Sequence, residues 1–231
     1  HAGTASRWIA YGAGSQMLYA ALTLAVAKHL GIPYEHRAFD KMEHTAGDKQ
    51  QYIDDWNHIM DFSSRFGAPE KKRVYSLSSR FHVIKALISF RSGVALTSTC
   101  IRYILDENPS WLESVRANLR QMYRRQASPH LQANFGPAVI FHVRRGDVSP
   151  RLNPGRFTSG EEIASEILAM QSDPAFSDHS FLLLAEEYTS DFAALETVGC
   201  RVIIERNPFL AFDLLVQSQV LVTGRSSFSY F

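Results

Sequence analysis

The chain has 231 residues, of which 45% are hydrophobic and 20% charged, and this composition allows a sizeable core in one large or two small domains. The formal net charge of +1 excludes a global field that would recruit nucleic acid or an anionic membrane, so we expect neither as a partner. No apolar run approaches the ~20 residues of a membrane span. The two cysteines, Cys100 and Cys200, leave open a disulfide or two buried thiols.

The first 135 residues are expected to form an N-terminal α/β lobe that begins with a glycine-rich turn. Residues 8–11 are predicted to end a strand, and residues 12–16 to form a tight loop. Residues 17–30 then carry apolar side chains at helical spacing, and Gly31 is expected to stop that helix. A helix that follows such a loop directs its free N-terminal amides towards a site.

The rest of this lobe has a weaker pattern. Residues 39–73 are polar and weakly periodic, which predicts an irregular surface with short helical pieces. Two helices are predicted at residues 99–105 and 111–125, separated by a break at Pro109, with Ser110 as the N-cap of the second. We interpret the arginines of that second helix as a solvated face.

From residue 136 onward, short apolar strands alternate with helical segments. The predicted strands are residues 138–143, 180–184, 202–205 and 220–223, and the predicted helices are residues 159–170, 190–198 and 210–218. Strands that are apolar throughout and separated by helices predict a parallel, Rossmann-like sheet covered on both faces. Ligands of such sheets bind outside the carboxyl ends of the strands.

Three loops follow those strand ends and carry the candidate chemistry. They contain Arg144, Arg145 and Asp147; Glu186 and Glu187; and Gly224, Arg225, Ser226, Ser227, Phe228 and Ser229. Guanidinium groups meet phosphate oxygens in pairs, and serine hydroxyls add hydrogen bonds, so the pattern predicts a nucleotide diphosphate held without a metal. Taken singly, a surface arginine pair, a histidine at a strand end or two adjacent glutamates are more often structural. Only their joint arrangement favours a site.

The same residues resemble the motifs of a known enzyme family. Residues 142–147, His-Val-Arg-Arg-Gly-Asp, resemble the H-x-R-R-x-D signature shared by α1,2-, α1,6- and protein O-fucosyltransferases. Residues 12–17 are similar to their G-x-G-x-Q-[LM] loop, and residues 103–113 resemble the Y-L-I-x(3)-P-W-L-E region of the α1,6 enzymes. Residues 183–187 stand where those enzymes have L-A-T-D-D, and residues 220–227 resemble their closing strand and serine turn. The arginine motif is the most specific part of a resemblance that covers nearly the whole chain.

The resemblance implies a GT-B-like, two-lobed α/β glycosyltransferase, in which residues 1–135 form the first lobe and residues 136–231 the Rossmann-like lobe that binds the donor nucleotide. It implies inverting, metal-independent transfer of fucose from GDP-fucose to a glycan hydroxyl, with no cofactor besides the donor substrate. The partners implied are therefore a sugar nucleotide and a glycan acceptor. A eukaryotic chain of this kind would be expected in the Golgi or secretory lumen and a bacterial one in the cytoplasm, so the compartment stays open.

Individual roles also follow from the resemblance. It implies that Arg144 grips the β-phosphate of GDP, that Arg145 supports it or shapes the loop, and that His142 orients the donor. The remaining donor-binding residues are expected to be Gly12, Gly14, Gln16, Gln219, Ser226, Ser227 and Phe228. The acceptor hydroxyl needs a base, and the candidates are Asp147, Glu161 and Glu162.

Two departures from the family pattern keep alternatives open. Gln219 stands where the α1,6 enzymes carry an acid that reads guanine, and glutamine cannot match a carboxylate that accepts two guanine donors. Glu186 and Glu187 replace two aspartates. The alternatives are an inactive relative that binds a nucleotide or a glycan, and a transferase that uses another sugar nucleotide. A serine hydrolase is disfavoured because the chain has no G-x-S-x-G elbow.

Overall fold

The computed structural model describes residues 12–29, 38–43, 47–60, 75–77, 94–96, 110–124 and 136–224. The chain divides into two compact units, which meet in sequence between Ala127 and Ser128. The described elements of the first unit are the helices α1 (Ala13–His29), α2 (Lys49–Ile59) and α3 (Ser110–Arg124) and the strands β1 (Tyr75–Leu77) and β2 (Val94–Leu96). The two short strands pair in parallel. The sequence did not predict them, and the helix predicted at residues 99–105 lies outside the described residues.

Helix α1 begins four residues earlier than the sequence predicts, so the tight loop expected at residues 12–16 is wrong. The carbonyl oxygen of Gly12 accepts the backbone N–H groups of Ser15 and Gln16 at 3.1 and 3.2 Å, which is the first turn of a helix. The apolar stripe also extends upstream, because Ala13 is buried together with Met17. The burial of this additional turn outweighs the helix-weakening effect of the glycine at position 14.

The other helices of the first unit differ from the sequence prediction in smaller ways. Helix α2 is a regular helix of 11 residues within the segment predicted to be irregular with short helical pieces. It is capped by Asp48, whose side chain accepts the backbone N–H of Gln51, and it buries Trp56 completely. Ser110 is the first residue of α3 rather than its N-cap. Helices α1 and α3 pack together, and the rings of His29 and Trp111 stack with centroids 3.6 Å apart.

The second unit contains a four-stranded parallel sheet. Its strands are β3 (Ala138–His142), β4 (Ser180–Ala185), β5 (Arg201–Ile204) and β6 (Val220–Thr223), and its helices are α4 (Gly160–Gln171), α5 (Ala193–Thr197) and α6 (Pro208–Gln217). The strand order is β5-β4-β3-β6, with every neighbouring pair parallel. This confirms the predicted α/β fold and parallel sheet of the second half.

Helices cover both faces of this sheet, as the unbroken apolar strands predicted. On one face Val139, Phe141 and Leu183 pack with α4 residues, Phe192 and α5 residues. On the other face Ile140, Leu182 and Leu184 pack against α6. Alternate residues of each strand therefore point into two separate cores, which is why polar positions do not interrupt β3 and β4.

The helix ends of this unit explain one further correction. Ser159 and Glu162 form a reciprocal capping box at the start of α4, which begins at Gly160, one residue later than the sequence predicts. The helix predicted at residues 190–198 is instead a short 3₁₀ turn, Ser190–Phe192, followed by the short helix α5. Thr189 and Asp191 are bonded to each other by their side chains, and such local bonds compete with a regular helical start.

No helix in the described ranges is long and apolar enough to cross a membrane.

Candidate functional site

The loops that follow β3, β4 and β6 leave the same edge of the sheet, and we call this edge the strand-end site: residues 142–147, 186–187 and 224. His142, the last residue of β3, lies in register with Leu184 of β4 and Thr223 of β6. The backbone N–H of Gly224 donates to the carbonyl oxygen of His142 at 2.9 Å. The chain order of the strands reverses between β3 and β6, and ligands of open α/β sheets bind at such a reversal.

Arg144 is the accessible cation of the loop after β3. Its Nε and Nη2 donate to the two carboxylate oxygens of Asp147 at 2.6 and 2.8 Å, and the two side chains are 25% and 44% exposed. Within the described residues, the Nη1 group of Arg144 has no protein acceptor. The guanidinium is therefore held along one edge and keeps donors at its other end for a further anion.

Gly146 gives the loop its tight turn. Its φ of +73° lies in the left-handed region that glycine adopts readily. A Cβ at this position would lie 3.5 Å from Glu186 Oε1 and 3.7 Å from Glu187 Oε2. The carboxylates that follow β4 therefore lie against the arginine loop, so the structure brings together the first two of the three predicted loops.

Glu186 is a further carboxylate of the site, and the sequence analysis did not include it among the candidate bases. Partial removal from water raises its pKa, and the charges of Asp147 and Glu187 raise it further. The charge of Arg144 and a hydrogen bond from the backbone N–H of Arg145 oppose this rise. A carboxylate with a raised pKa is a better general base than an ordinary one, so Glu186 joins the candidates.

Arg145 is buried, unlike its neighbour. Its side chain is 2% exposed, with the guanidinium carbon 4.4 Å from the centroid of the Phe157 ring and 4.9 Å from that of Phe192. It donates to Thr189 Oγ1 at 3.2 Å, to the carbonyl oxygen of Thr158 at 2.9 Å, to the carbonyl oxygen of Arg144 at 3.3 Å and to Asp191 at 3.0 Å. Desolvation lowers the pKa of Arg145, and Asp191 opposes that shift. The guanidinium is therefore shielded from water, and its hydrogen bonds are made within the protein.

Asp191 is the acceptor at the centre of these contacts, and no sequence motif pointed to it. Its Oδ2 accepts the backbone N–H of Gly160 at 2.9 Å as well as Arg145, and its Oδ1 accepts the hydroxyl of Thr189 at 2.5 Å. Desolvation acts to raise the pKa of Asp191, but the hydrogen bonds from Thr189 and Gly160 and the charge of Arg145 outweigh it and lower the pKa. The carboxylate is therefore ionised at neutral pH.

His142 is buried at the end of β3. Burial lowers the pKa of its imidazole to about 4, and the nearby charge of Arg144 acts in the same direction. The ring is therefore neutral at pH 7, with one nitrogen as a donor and the other as an acceptor. A neutral imidazole can orient a ligand by hydrogen bonds but adds no positive charge for a phosphate.

Other predicted site residues lie on other elements of the second unit or outside the described residues. Glu161 and Glu162 are exposed in the first turn of α4, and the carboxylate of Glu162 accepts the backbone N–H of Ser159. Gln219 is exposed at the amino end of β6, and the length of that strand separates it from the strand-end site. Ser226, Ser227 and Phe228 lie outside the described residues.

The predicted donor-binding residues of the first unit belong to the start of α1. Gly12 precedes the helix, and Gly14 and Gln16 lie in its first turns. Gln16 is buried, and its Nε2 donates to the carbonyl oxygen of Lys41 at 2.5 Å. The side-chain amide thus makes a bond within its own unit.

In the part of the chain that the structure describes, the candidate site offers one accessible guanidinium, several carboxylates and a neutral imidazole. Among the described residues, no group of three or more His, Cys, Asp or Glu side chains is arranged to hold a metal ion. The class defined by the fold is an α/β protein whose polar residues gather at the carboxyl ends of a parallel sheet. No protein-family model, no curated protein and no solved structure gives a significant match to the chain.

Proposed function

We propose that the strand-end site binds the diphosphate of a sugar nucleotide, and that the protein transfers fucose from GDP-fucose to a glycan hydroxyl with inversion and without a metal. The observation that carries this proposal is the position of Arg144. It is partly exposed at the carboxyl end of β3, beside the reversal of strand order, and is held by Asp147 along one edge only. The two units would correspond to the two lobes of a GT-B-like enzyme.

The chemistry expected at Arg144 is stabilisation of a leaving group. The free end of the guanidinium would donate to oxygens of the β-phosphate, and this bond would strengthen as negative charge develops on the departing GDP. The neutral imidazole of His142 would orient the donor by hydrogen bonding. The acceptor hydroxyl would lose its proton to a carboxylate, and the raised pKa of Glu186 adds it to Asp147, Glu161 and Glu162 as a candidate.

A second candidate function is binding of a glycan or nucleotide without transfer. It is favoured by the carboxylates of Asp147, Glu186 and Glu187 around Arg144, the one accessible arginine among the described residues of this site, because these groups oppose the approach of an anion. Carboxylates are also good acceptors for sugar hydroxyls. A glycan-binding relative would therefore bind neutral oligosaccharide and show little response to GDP.

The first experiment measures nucleotide binding by calorimetry and by thermal shift. We expect GDP to bind and to raise the melting temperature, with UDP and ADP far less effective, and we expect GDP binding to survive EDTA. Equal responses to all three nucleotides would show that only the diphosphate is recognised. Loss of binding on chelation, restored by Mg²⁺ or Mn²⁺, would contradict the metal-independent part of the proposal.

The second experiment tests Arg144 with a matched control. Arg144→Ala should fold and bind GDP about tenfold to a hundredfold more weakly, because a hydrogen bond to a charged group contributes roughly 1.5–3 kcal/mol. Arg144→Lys should not restore binding, since it keeps the charge and loses the planar fork. Transfer activity should fall by about two orders of magnitude or more in both variants.

The control is Arg116→Ala, which removes another arginine from an exposed i,i+3 ion pair. Arg116 contacts Glu113 at 3.1 Å on α3, and both side chains are exposed. We expect no change in GDP affinity for this variant. If Arg144→Ala folds and binds GDP as tightly as the control does, the strand-end site is not the nucleotide site.

A further inference from the structure

Three chain segments meet at the buried guanidinium of Arg145. It donates to the carbonyl oxygen of Arg144 in its own loop, to the carbonyl oxygen of Thr158 in the segment before α4, and to Thr189 and Asp191 in the turn before α5. Burying a charged group is unfavourable unless it is paired and hydrogen-bonded, and well-packed apolar residues often stabilise a fold better. Stability alone therefore gives no strong reason for a charge at this position.

Asp191 extends the connection to the helix that follows. The same Oδ2 that accepts Arg145 also accepts the backbone N–H of Gly160, the first residue of α4. Gly160 itself packs so closely against the backbone of Asp191 that a Cβ there would overlap the carbonyl group. One carboxylate thus joins the arginine loop to the start of α4.

We propose that Asp191 is a positioning residue that, through Arg145, holds the loop carrying Arg144 in a fixed relation to residues 157–162, which carry Glu161 and Glu162. The inference rests on the proposed function of the strand-end site. Its geometric basis is independent of that function, because Arg145 and Asp191 bond to backbone groups both in the arginine loop and at the start of α4, a connection that we call the junction. The rings of Phe157 and Phe192 lie against the guanidinium, whose side chain is 2% exposed, and this exclusion of water strengthens these bonds.

The test of the junction itself is hydrogen–deuterium exchange on the full chain. Asp191→Asn keeps the size of the side chain and removes the charge that balances Arg145. We expect the backbone amides of residues 144–147 and 157–160 to exchange about tenfold faster or more, while those of α6 keep their rates. Ser159→Ala is the matched control, because it weakens the same end of α4 by removing the N-cap bond to Glu162 and leaves Arg145 and Asp191 intact. It should accelerate exchange in α4 and leave residues 144–147 unchanged.

The functional readout separates positioning from stability. Asp191→Asn leaves a buried charge without its counterion, whereas the double variant Arg145→Met with Asp191→Asn removes both charges and should recover most of the lost melting temperature. We expect the double variant to bind GDP about tenfold more weakly than the wild type despite this recovery, because the loop is no longer tied to α4. Ser159→Ala should bind GDP as the wild type does.

Each outcome decides the proposal. Unchanged exchange at residues 144–147 in Asp191→Asn would overturn it, as would a double variant that recovers GDP affinity together with stability. If Asp191→Asn does not fold, the double variant provides the same exchange and affinity comparisons. If the wild type does not bind GDP, the proposed function fails, and the exchange measurements still decide whether Asp191 connects the two segments.

Discussion

The low pKa of His142 makes the stability of the second unit depend on pH in a calculable way. The imidazole titrates near 6.5 when exposed, and burial lowers its pKa to about 4 in the folded chain. Between these two values the unfolded chain binds more protons than the folded one, so the free energy of unfolding falls as the pH falls. The contribution is fully present above about pH 6.5 and is lost on acidification towards about pH 4, with a total of about 3 kcal/mol.

The perturbation that isolates this contribution is His142→Gln, which keeps a polar side chain that does not titrate. Urea unfolding of both proteins between about pH 7 and pH 4 should show the wild type losing about 3 kcal/mol more than the variant. Carboxylates that titrate in the same range affect both proteins and cancel in the difference. Because the charge of Arg144 is the second cause of the low pKa, Arg144→Ala should raise the pKa of His142 without restoring its ordinary value.

Imidazole titration by NMR checks the same reasoning directly. We expect the His142 ring to remain neutral down to about pH 5 in the folded protein. A ring that titrates near its ordinary value, together with wild-type and variant stabilities that run parallel across the pH range, would refute the argument. That result would mean that water reaches the end of β3 and that His142 does not lie in a desolvated position.

Three further predictions concern the backbone and the thiol. Gly160→Ala should destabilise the protein by about 3 kcal/mol in urea unfolding, because its methyl would overlap the carbonyl of Asp191. The control Gly155→Ala, with nothing within 4 Å of its Cβ, should have little effect. Equal stabilities of the two variants would contradict the close packing of Gly160 against Asp191. Gly224→Ala should weaken GDP binding as well as stability, since its Cβ would lie 2.6 Å from the carbonyl oxygen of His142 at the end of β3. An unaltered GDP affinity would show that the contact between Gly224 and His142 is not part of the nucleotide site. Cys200 should react slowly with a thiol reagent until the protein unfolds, because burial raises its pKa to about 11, and rapid labelling of the native protein would show an exposed thiol.

The strand-end arginines illustrate how far local sequence reasoning reaches. The apolar run that ends at Val143 predicted a buried strand, and the rule for parallel sheets predicted that the following residues lie at a ligand-binding edge. The adjacent residues Arg144 and Arg145 looked equivalent in that pattern. Their side chains diverge, one held at the surface by Asp147 and the other buried against two phenylalanine rings, and this difference depends on partners up to 46 positions away.

At the start of α1, the sequence predicted the wrong local structure. Two glycines close together predicted a loop, because glycine weakens a helix by about 1 kcal/mol. The buried side chains of Ala13, Gln16 and Met17 favour helix from the first of these positions onward. The glycines do weaken the helix, but the packing of buried side chains within the unit makes residues 13–16 helical.

The sequence by itself determined the class of the second half and the edge of its sheet at which chemistry is expected. It did so because a strand buried on both faces must be apolar throughout, and because every loop that follows a parallel strand emerges at one edge. Only the tertiary structure decided which polar groups are accessible there, since burial, a shifted pKa and an ion pair such as Arg145–Asp191 depend on groups that are distant in the chain. The contacts of Asp191 could not be read from any motif, because a single aspartate in a short turn becomes informative only when Arg145 and the backbone N–H of Gly160, from two other segments, donate to it together with its neighbour Thr189.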